Sequence, residues 1–248
     1  MKRITLIVLV IAALMLPAAL SAQMVVEDVN ISEESLDRDW NTGSGSWEAY
    51  LGALRQGDTD ARMARIDRRV PQSGSVEISF NVRYQDGGLA DGREGQYHAG
   101  FGIHLGVDSL PPSVAWGADD SYLLWLNLDT RRDTRSQASE HYGFRGQVYQ
   151  ASSNSRMGLT GLNVDIIEQL NAAGISFNVN SLIGFLDQNV PIKIRVNYDT
   201  GRIMVNDPTS PSTWFWFDVN PDVLDGSYMS LRTNSLSLIF SRITFREL

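Results

Sequence analysis

The stretch Tyr97-His-Ala-Gly-Phe-Gly-Ile-His-Leu-Gly106 decides the fold class, because its residues alternate in type with a period of two. Side chains at every second position of a β-strand lie on the same face. One face is apolar from Tyr97 to Leu105, whereas the other carries His98, His104 and glycines. This alternation predicts a half-buried strand. Glycine within a strand often marks the close approach of a ligand or of other backbone, so the histidine face is the first candidate for a binding surface.

The same alternation recurs along most of the chain, between turns rich in glycine, proline and aspartate. It predicts further strands at 61–70, 76–84, 121–129, 142–149, 192–199 and 202–206. Asp199-Thr-Gly201 predicts a hairpin turn, and a slip of the apolar positions between Phe240 and Ile243 predicts a β-bulge. Many short strands between turns indicate an all-β, antiparallel two-sheet sandwich.

Two segments depart from this pattern. Residues 161–188 predict a short helical insertion, with Asn163 as its N-cap and Gly174 at the end of its first helix. The insertion either plugs one end of the sandwich or forms a lid over a site. The ribbon Trp214-Phe-Trp-Phe217 is aromatic at consecutive positions, which predicts a strand covered on both faces.

The first 22 residues predict a secretory signal peptide. Lys2 and Arg3 precede an apolar run, and small residues follow from Ala18 to Ala22. The run is too short for a membrane span, so we expect no membrane span in the mature chain. Cleavage is expected after Ser21 or Ala22, which leaves one domain over residues 23–248. The protein is thus expected to be exported, to the periplasm or the cell exterior.

Composition narrows the partners of the mature chain. The full chain has a net charge of −8, and removal of Lys2 and Arg3 with the signal peptide makes it −10. Nucleic acids and anionic lipids are bound by clusters of Lys and Arg, so we expect no nucleic-acid partner. Cysteine is absent, which excludes disulfides and thiolate metal sites. A domain of this size must therefore be stabilised by its own apolar core.

Three groups of residues resemble the concanavalin A-like lectin/glucanase superfamily, especially its laminin G-like members. They are Trp47-Glu48 with 51–54, the strand 76–83 with Gly100–His104, and the segments 192–205 and 231–245 near the end. The resemblance implies a two-sheet jelly roll whose concave sheet often binds saccharide. It does not by itself give the function, because the superfamily contains lectins, glycosidases, adhesion modules and structural parts.

The residues do not favour glucanase chemistry. Glycoside hydrolysis uses two carboxyl groups, about 5–5.5 Å apart in retaining enzymes and about 6.5–9.5 Å apart in inverting ones. On a strand, residues i and i+2 would supply the shorter spacing, but the residues two and four positions after Glu77 are Ser79 and Asn81. The sequence also lacks a Gly-x-Ser-x-Gly or His-Glu-x-x-His motif. These absences favour a protein that is not an enzyme and leave catalysis of another kind open.

A shared metal at the two histidines is excluded by spacing. His98 and His104 are six residues apart, which is about 20 Å on a regular strand. Either histidine could still bind a metal together with a residue on a neighbouring strand, but the composition favours calcium over zinc, since carboxylate oxygens are calcium ligands. The candidate residues lie in predicted loops at Asp86, Asp91, Asp108, Asp119 and Asp120.

A surface remains as the candidate site. If the strands near residues 98–104, 123–129 and 143–149 are neighbours, one face carries a set of aromatic, amide and cationic side chains. Such groups stack on sugar rings and donate to hydroxyl groups. The predicted ligand-binding residues are His98, His104, Trp125, Asn127, Arg145, Gln147 and Tyr149.

The leading hypothesis is an exported, non-catalytic module that binds carbohydrate or a glycan on its concave sheet. The alternative is a structural or protein-interaction component of the cell envelope, in an assembly or filament coat with an envelope protein as partner. The aromatic ribbon at 214–217 supports that alternative. A glycoside hydrolase is the least favoured of the three.

Overall fold

A computed structural model describes residues 26–88, 98–108, 116, 120–172, 174, 176 and 179–248 of the 248-residue chain. The predicted signal peptide lies outside these residues. The described chain forms two antiparallel sheets packed face to face, as the alternation predicted. Among the described residues, no helix has the length and apolar character that crossing a membrane would require.

One sheet has eight strands. They are β1 (Val26–Asp28), β3 (Trp47–Tyr50), β4 (Ala53–Gln56), β6 (Ser75–Gly87), β11 (Val190–Asn197), β12 (Arg202–Asp207), β13 (Ser210–Asp218) and β15 (Leu236–Glu247). Their spatial order is β13-β12-β11-β6-β15-β4-β3, with β1 alongside β15.

The other sheet has seven strands. They are β2 (Trp40–Ser44), β5 (Ala64–Arg69), β7 (Gly100–Val107), β8 (Ser121–Asp129), β9 (Gly143–Ser153), β10 (Arg156–Asp165) and β14 (Tyr228–Asn234). Their spatial order is β10-β9-β8-β7-β14-β5-β2. The predicted strands around 98–104, 123–129 and 143–149 are therefore β7, β8 and β9, and they are neighbours.

The core fills the space between the two sheets. Phe101 on β7 reaches across to Phe240 on β15, with ring centroids 6.4 Å apart, and Phe240 also contacts Phe80 and Trp47. Ile103 and Leu105 are fully buried beside them. The apolar face of the opening stretch thus supplies the core, because burial of apolar surface is the main favourable contribution to folding.

Four short helices connect the strands: α1 (Glu33–Asp39), α2 (Arg132–Gln137), α3 (Ile166–Ala172) and α4 (Val179–Leu186). Two 3₁₀ turns lie at Ser139–His141 and Pro221–Val223. The predicted N-cap is wrong, because Asn163 is a strand residue opposite Gln147. The carboxylate of Asp165 instead accepts a hydrogen bond from the backbone N–H of Glu168.

The helical insertion contacts both sheets of the sandwich. Helix α3 contacts β9 of one sheet, whereas α4 contacts β6 of the other. Ile166 and Phe185 pack against the core and Leu186 is buried in it. This arrangement fits the plug interpretation rather than the lid.

Two local expectations are confirmed and one is wrong. The register of β15 against β6 shifts between Ser241 and Thr244, at the predicted bulge, and Gly201 ends the predicted turn with φ +72°. The ribbon on β13 was expected to be covered on both faces. It lies instead at the edge of its sheet, with Phe215 and Trp216 exposed.

Candidate functional site

The seven predicted ligand residues lie on or beside β7, β8 and β9. Strand pairing places Trp125 opposite both Gly102 and Gln147, and Asn127 opposite Arg145. Tyr122, Leu124 and Leu128, at the alternate positions of β8, belong to the core between the sheets. The predicted residues therefore point away from the core, and the structure brings them onto one face. Most of that face is not open.

The indole of Trp125 fills the space that the strand glycines leave. A β-carbon at Gly100 would lie 2.8 Å from Cε2 of Trp125, and one at Gly102 would lie 2.9 Å from its Cε3. Trp125 is only 4% exposed. The glycines thus make room for a side chain of the same protein, and the space above them is not open to a ligand.

Asn127 and Gln147 hold the loop between β8 and β9 against the sheet. The side chain of Asn127 donates to the carbonyl oxygens of His141 and Gly143, at 2.7 and 2.9 Å. The side chain of Gln147 donates to the carbonyl oxygen of Glu140 at 2.9 Å. Both residues are buried, so their amides satisfy loop backbone that would otherwise be left without partners.

His104 is fully buried in a hydrogen-bonded chain. Nε of Arg232 donates to Nδ1 of His104 at 3.1 Å, and Nε2 of His104 lies 2.7 Å from Oγ of Ser121. That hydroxyl donates to the carbonyl oxygen of Trp116. Because Nδ1 accepts a hydrogen bond, the proton of the neutral imidazole lies on Nε2. Burial and the charge of Arg232 hold the pKa of His104 well below its usual value.

A second buried ionic group continues the same face on β5 and β14. Nε of Arg65 lies 3.0 Å from a carboxylate oxygen of Asp67, and both side chains are inaccessible to solvent. The hydroxyl of Ser230 donates to Asp67. Burial raises the pKa of Asp67 and lowers the pKa of Arg232 to about 9. Nothing in the sequence singles out these residues, because charged side chains normally lie at the surface.

The accessible part of the face is an aromatic group that we call the His–Tyr cluster, formed by His98, His141 and Tyr149. The rings of His98 and His141 meet edge to face with centroids 4.3 Å apart. The rings of His141 and Tyr149 stack at 6.3 Å, and the Tyr149 hydroxyl lies 3.1 Å from Nδ1 of His141. All three are partly exposed.

Polar side chains surround the His–Tyr cluster. Arg145 donates to the carbonyl oxygen of Tyr142 at 2.7 Å and pairs with Asp165 at 3.2 Å. Glu140 is 56% exposed beside His141, and the side chain of Asn163 donates to the carbonyl oxygen of Glu140. The cluster is therefore an aromatic surface bordered by hydrogen-bonding groups, at the side of the sheet near β9 and β10.

Asp129 holds His98 and the start of the loop that carries His141. Its carboxylate accepts hydrogen bonds from the backbone N–H of His98, the backbone N–H of Arg131 and the hydroxyl of Thr134. His98 adopts φ +60°, which a non-glycine residue rarely does. Burial, together with His141, lowers the pKa of His98 to about 4. Burial also lowers the pKa of His141.

His141 was missed by the sequence reasoning. It lies in a charged loop without periodicity, so no pattern placed it beside His98, which is 43 positions earlier in the chain. The loop is held on the sheet by Gln147 and Asn163 of neighbouring strands, whose side chains donate hydrogen bonds to the carbonyl oxygen of residue 140.

The described residues contain no group of three or more His, Asp or Glu side chains that could hold a metal ion. Two of the candidate calcium ligands, Asp91 and Asp119, lie outside the described part of the chain. Calcium binding therefore stays open, as the sequence left it.

A depression of about 260 Å³ lies far from the His–Tyr cluster, beside α1. Arg68 pairs there with Glu27, and Arg38 pairs with Asp39. Because these charges pair with each other, we do not take the depression as the site.

Comparisons with known proteins identify the fold. Lectin I-B4 from Griffonia simplicifolia superposes with a TM-score of 0.54 at 8% identity, over 90% of this chain and 100% of the lectin. Lectin II from Ulex europaeus gives a TM-score of 0.50 at 9% identity, over 92% of this chain and 99% of the lectin. This chain has the concanavalin A-like jelly-roll fold.

The concanavalin A-like fold is thus confirmed by structure and not by sequence. No protein-family model matches the chain, and no curated protein does. A complex of lectin UEA-II with galactose gives a TM-score of 0.50 at 9% identity, over 92% of this chain and 99% of that one. At this level of identity the similarity establishes the fold alone.

Proposed function

We propose that the protein is an exported, non-catalytic module that binds carbohydrate, and that the ligand contacts the His–Tyr cluster. The observation that carries the proposal is the stack of His98, His141 and Tyr149, which is accessible beside Arg145 on the face that the sequence selected. The similarity of the fold to that of plant lectins supports the class of ligand.

The chemistry of the cluster suits a sugar. A pyranose offers an apolar C–H face and a rim of hydroxyl groups, which aromatic rings and planar donors recognise together. The ring of Tyr149 supplies the apolar surface, and Arg145 and Glu140 supply donors and acceptors at its border. His104, Trp125, Asn127 and Gln147, which are buried, would act only as the support beneath these groups.

Glycan-array screening followed by calorimetry tests the proposal. We expect the wild type to bind a glycan, and Tyr149→Ala and Arg145→Ala to weaken that binding by about tenfold or more, equivalent to about 1.4 kcal/mol. Arg156→Ala is the matched control, because Arg156 is an exposed arginine at the start of the adjacent β10. Thermal unfolding of each variant verifies its fold. Failure to bind any glycan, or equal binding by all four proteins, would contradict the proposal.

Export is tested separately. When the full chain is expressed in a bacterial host, we expect the recovered protein to begin at Ala22 or Gln23, as determined by N-terminal sequencing or intact mass. Replacing Val8 and Val10 by Asp is expected to leave the precursor in the cytoplasm, because the apolar run that the export machinery recognises is interrupted. Recovery of the uncleaved wild-type chain in the cytoplasm would count against export.

A further inference from the structure

Strand β13 exposes aromatic side chains at the edge of the eight-stranded sheet. Phe215 is 52% exposed and Trp216 is 61% exposed, and Trp214 and Phe217 are half-buried beside them. Within the described chain, β13 pairs only with β12. A flat, apolar edge strand is a ready site for pairing with another strand, and proteins usually cover or charge such an edge.

The exposed rings lie on both faces of the sheet. Trp214 and Trp216 are opposite Asn206 and Met204 of β12, whereas Phe215 and Phe217 are opposite Val205 and Ile203. Ile203 is buried in the core, which identifies the phenylalanine face as the inner one. A ligand lying on the outer face would leave Phe215 exposed. A strand added to the edge would cover the rings of both faces.

The tryptophans are held in place by arginines of the same chain. The guanidinium of Arg195 lies 4.2 Å from the ring centroid of Trp214, and that of Arg202 lies 4.5 Å from that of Trp216. Arg202 in turn forms two hydrogen bonds with Asp218. Side chains that are already ordered lose less conformational entropy when a partner binds.

We propose that β13 is a homodimer interface, on which the β13 strand of a second copy adds in antiparallel orientation with Phe215 opposite the partner's Phe215. In this register Trp214 is opposite the partner's Trp216 on the outer face, and Trp216 is opposite the partner's Trp214. Because side chains alternate, the outer tryptophans meet each other and Phe215 meets Phe215 on the inner face, where Phe217 lies opposite the partner's Thr213. The pairing is two-fold symmetric and closes as a dimer.

The charges of β13 are compatible with pairing between two copies. Asp218 is the one charged residue of β13, and its carboxylate is paired with Arg202. In the proposed register it lies opposite the partner's Ser212, so no like charges meet across the interface. Because the edge carries a single carboxylate that already pairs with Arg202, it offers little to a highly charged strand, whereas a second copy brings the same uncharged aromatic run.

The size of the aromatic surface sets the expected affinity. A fully buried Phe or Trp removes about 150–250 Å² from water, but Phe215 and Trp216 are little more than half exposed, and Trp214 and Phe217 are less exposed. The pair of strands then buries less than the roughly 1,600 Å² of a standard stable interface. We therefore expect a reversible dimer with a dissociation constant in the micromolar range.

A charge-exchange experiment tests the proposal by analytical ultracentrifugation from about 1 µM to about 1 mM. We expect the wild type to dimerise and Phe215→Lys and Phe215→Asp to be monomeric, because each places like charges opposite one another. An equimolar mixture of the two variants is expected to recover the dimer, because Lys and Asp then face each other. This recovery requires that residue 215 of one copy lies beside residue 215 of the other.

Leu51→Lys is the control, since Leu51 is 90% exposed in the turn between β3 and β4. It should dimerise like the wild type, and thermal unfolding verifies that every variant is folded. Four results would each overturn the proposal. The wild type could stay monomeric up to about 1 mM, or it could assemble beyond a dimer. The two Phe215 variants could leave the dimer intact, or their mixture could stay monomeric. These outcomes are independent of glycan binding.

Discussion

Nε of Arg232 donates a hydrogen bond to Nδ1 of His104 at 3.1 Å, and both side chains are completely buried in adjacent strands of the seven-stranded sheet. A charged donor in a low-dielectric interior is costly unless acceptors compensate for the lost hydration. His104 is one of those acceptors, and it can accept only because it is neutral. The histidine that first suggested a ligand site therefore stabilises the fold.

Replacement of His104 tests this role. We expect His104→Leu to lower the free energy of unfolding by about 2–3 kcal/mol, because an acceptor for a buried guanidinium is removed. His104→Asn is expected to cost less, since its side-chain oxygen can occupy the place of Nδ1. Urea denaturation measures both. Equal losses for the two variants would show that volume, and not the hydrogen bond, sets the contribution of His104.

The fit of Trp125 over the strand glycines gives a second prediction. Gly102→Ala is expected to destabilise the protein by about 1–3 kcal/mol, because its β-carbon would press on the indole of Trp125 and on the carbonyl oxygen of Leu124. Gly158→Ala is the control, since no atom lies within 4 Å of its β-carbon position. We expect that control to be neutral or slightly stabilising. Thermal unfolding of the two variants and the wild type measures these changes in stability.

Truncation of the indole itself should be more costly. We expect Trp125→Ala to lower the free energy of unfolding by about 3–5 kcal/mol, because a large buried side chain is removed from a packed site. The loss would be seen in urea denaturation. A loss below about 1 kcal/mol would indicate that the indole is not packed as described.

The depressed pKa of His98 predicts a dependence of stability on pH. The ring titrates near 6.5 when unfolded and near 4 when folded, so the unfolded state binds more protons between these values. The stability that the protein has when His98 is neutral is complete above about pH 6.5 and is lost as the pH falls towards 4. His141, Asp129 and Glu140 are the charged or titratable groups that act on this ring.

His98→Asn isolates that contribution, because asparagine tolerates a positive φ but does not titrate. The wild type is expected to lose stability relative to the variant, by an amount on the order of 2 kcal/mol after allowance for solvent, as the pH falls from 6.5 to 4. Denaturant unfolding across this range measures the difference. Parallel curves for the two proteins would mean that His98 is not shielded from protonation.

The β-bulge supplies the last prediction. Arg242 adopts φ +52° within β15, a conformation that glycine reaches without the strain that a β-carbon imposes. We expect Arg242→Gly to be neutral or stabilising by up to about 1 kcal/mol, and Arg242→Val to be destabilising, because branched side chains avoid this region. Thermal unfolding checks the order of the three proteins.

The strands could be predicted because their signal is local. The alternation from Phe101 to Leu105 and the slip between Phe240 and Ile243 each reflect which side chains must reach the core. The coverage of β13 could not be predicted in this way. A run of four aromatic residues fits a buried strand or an exposed edge equally well, and only the order of strands in the sheet places β13 at the edge.

The sequence by itself determined the two-sheet antiparallel sandwich and the face of β7, β8 and β9 on which the candidate residues lie, because both follow from the period of two. Only the tertiary structure decided which of these residues remain accessible. His104 and Trp125 became part of a buried layer, whereas Tyr149 gained His141 from a loop. The reason is physical: alternation assigns a side chain to a face, but segments distant in the chain decide whether that face is covered.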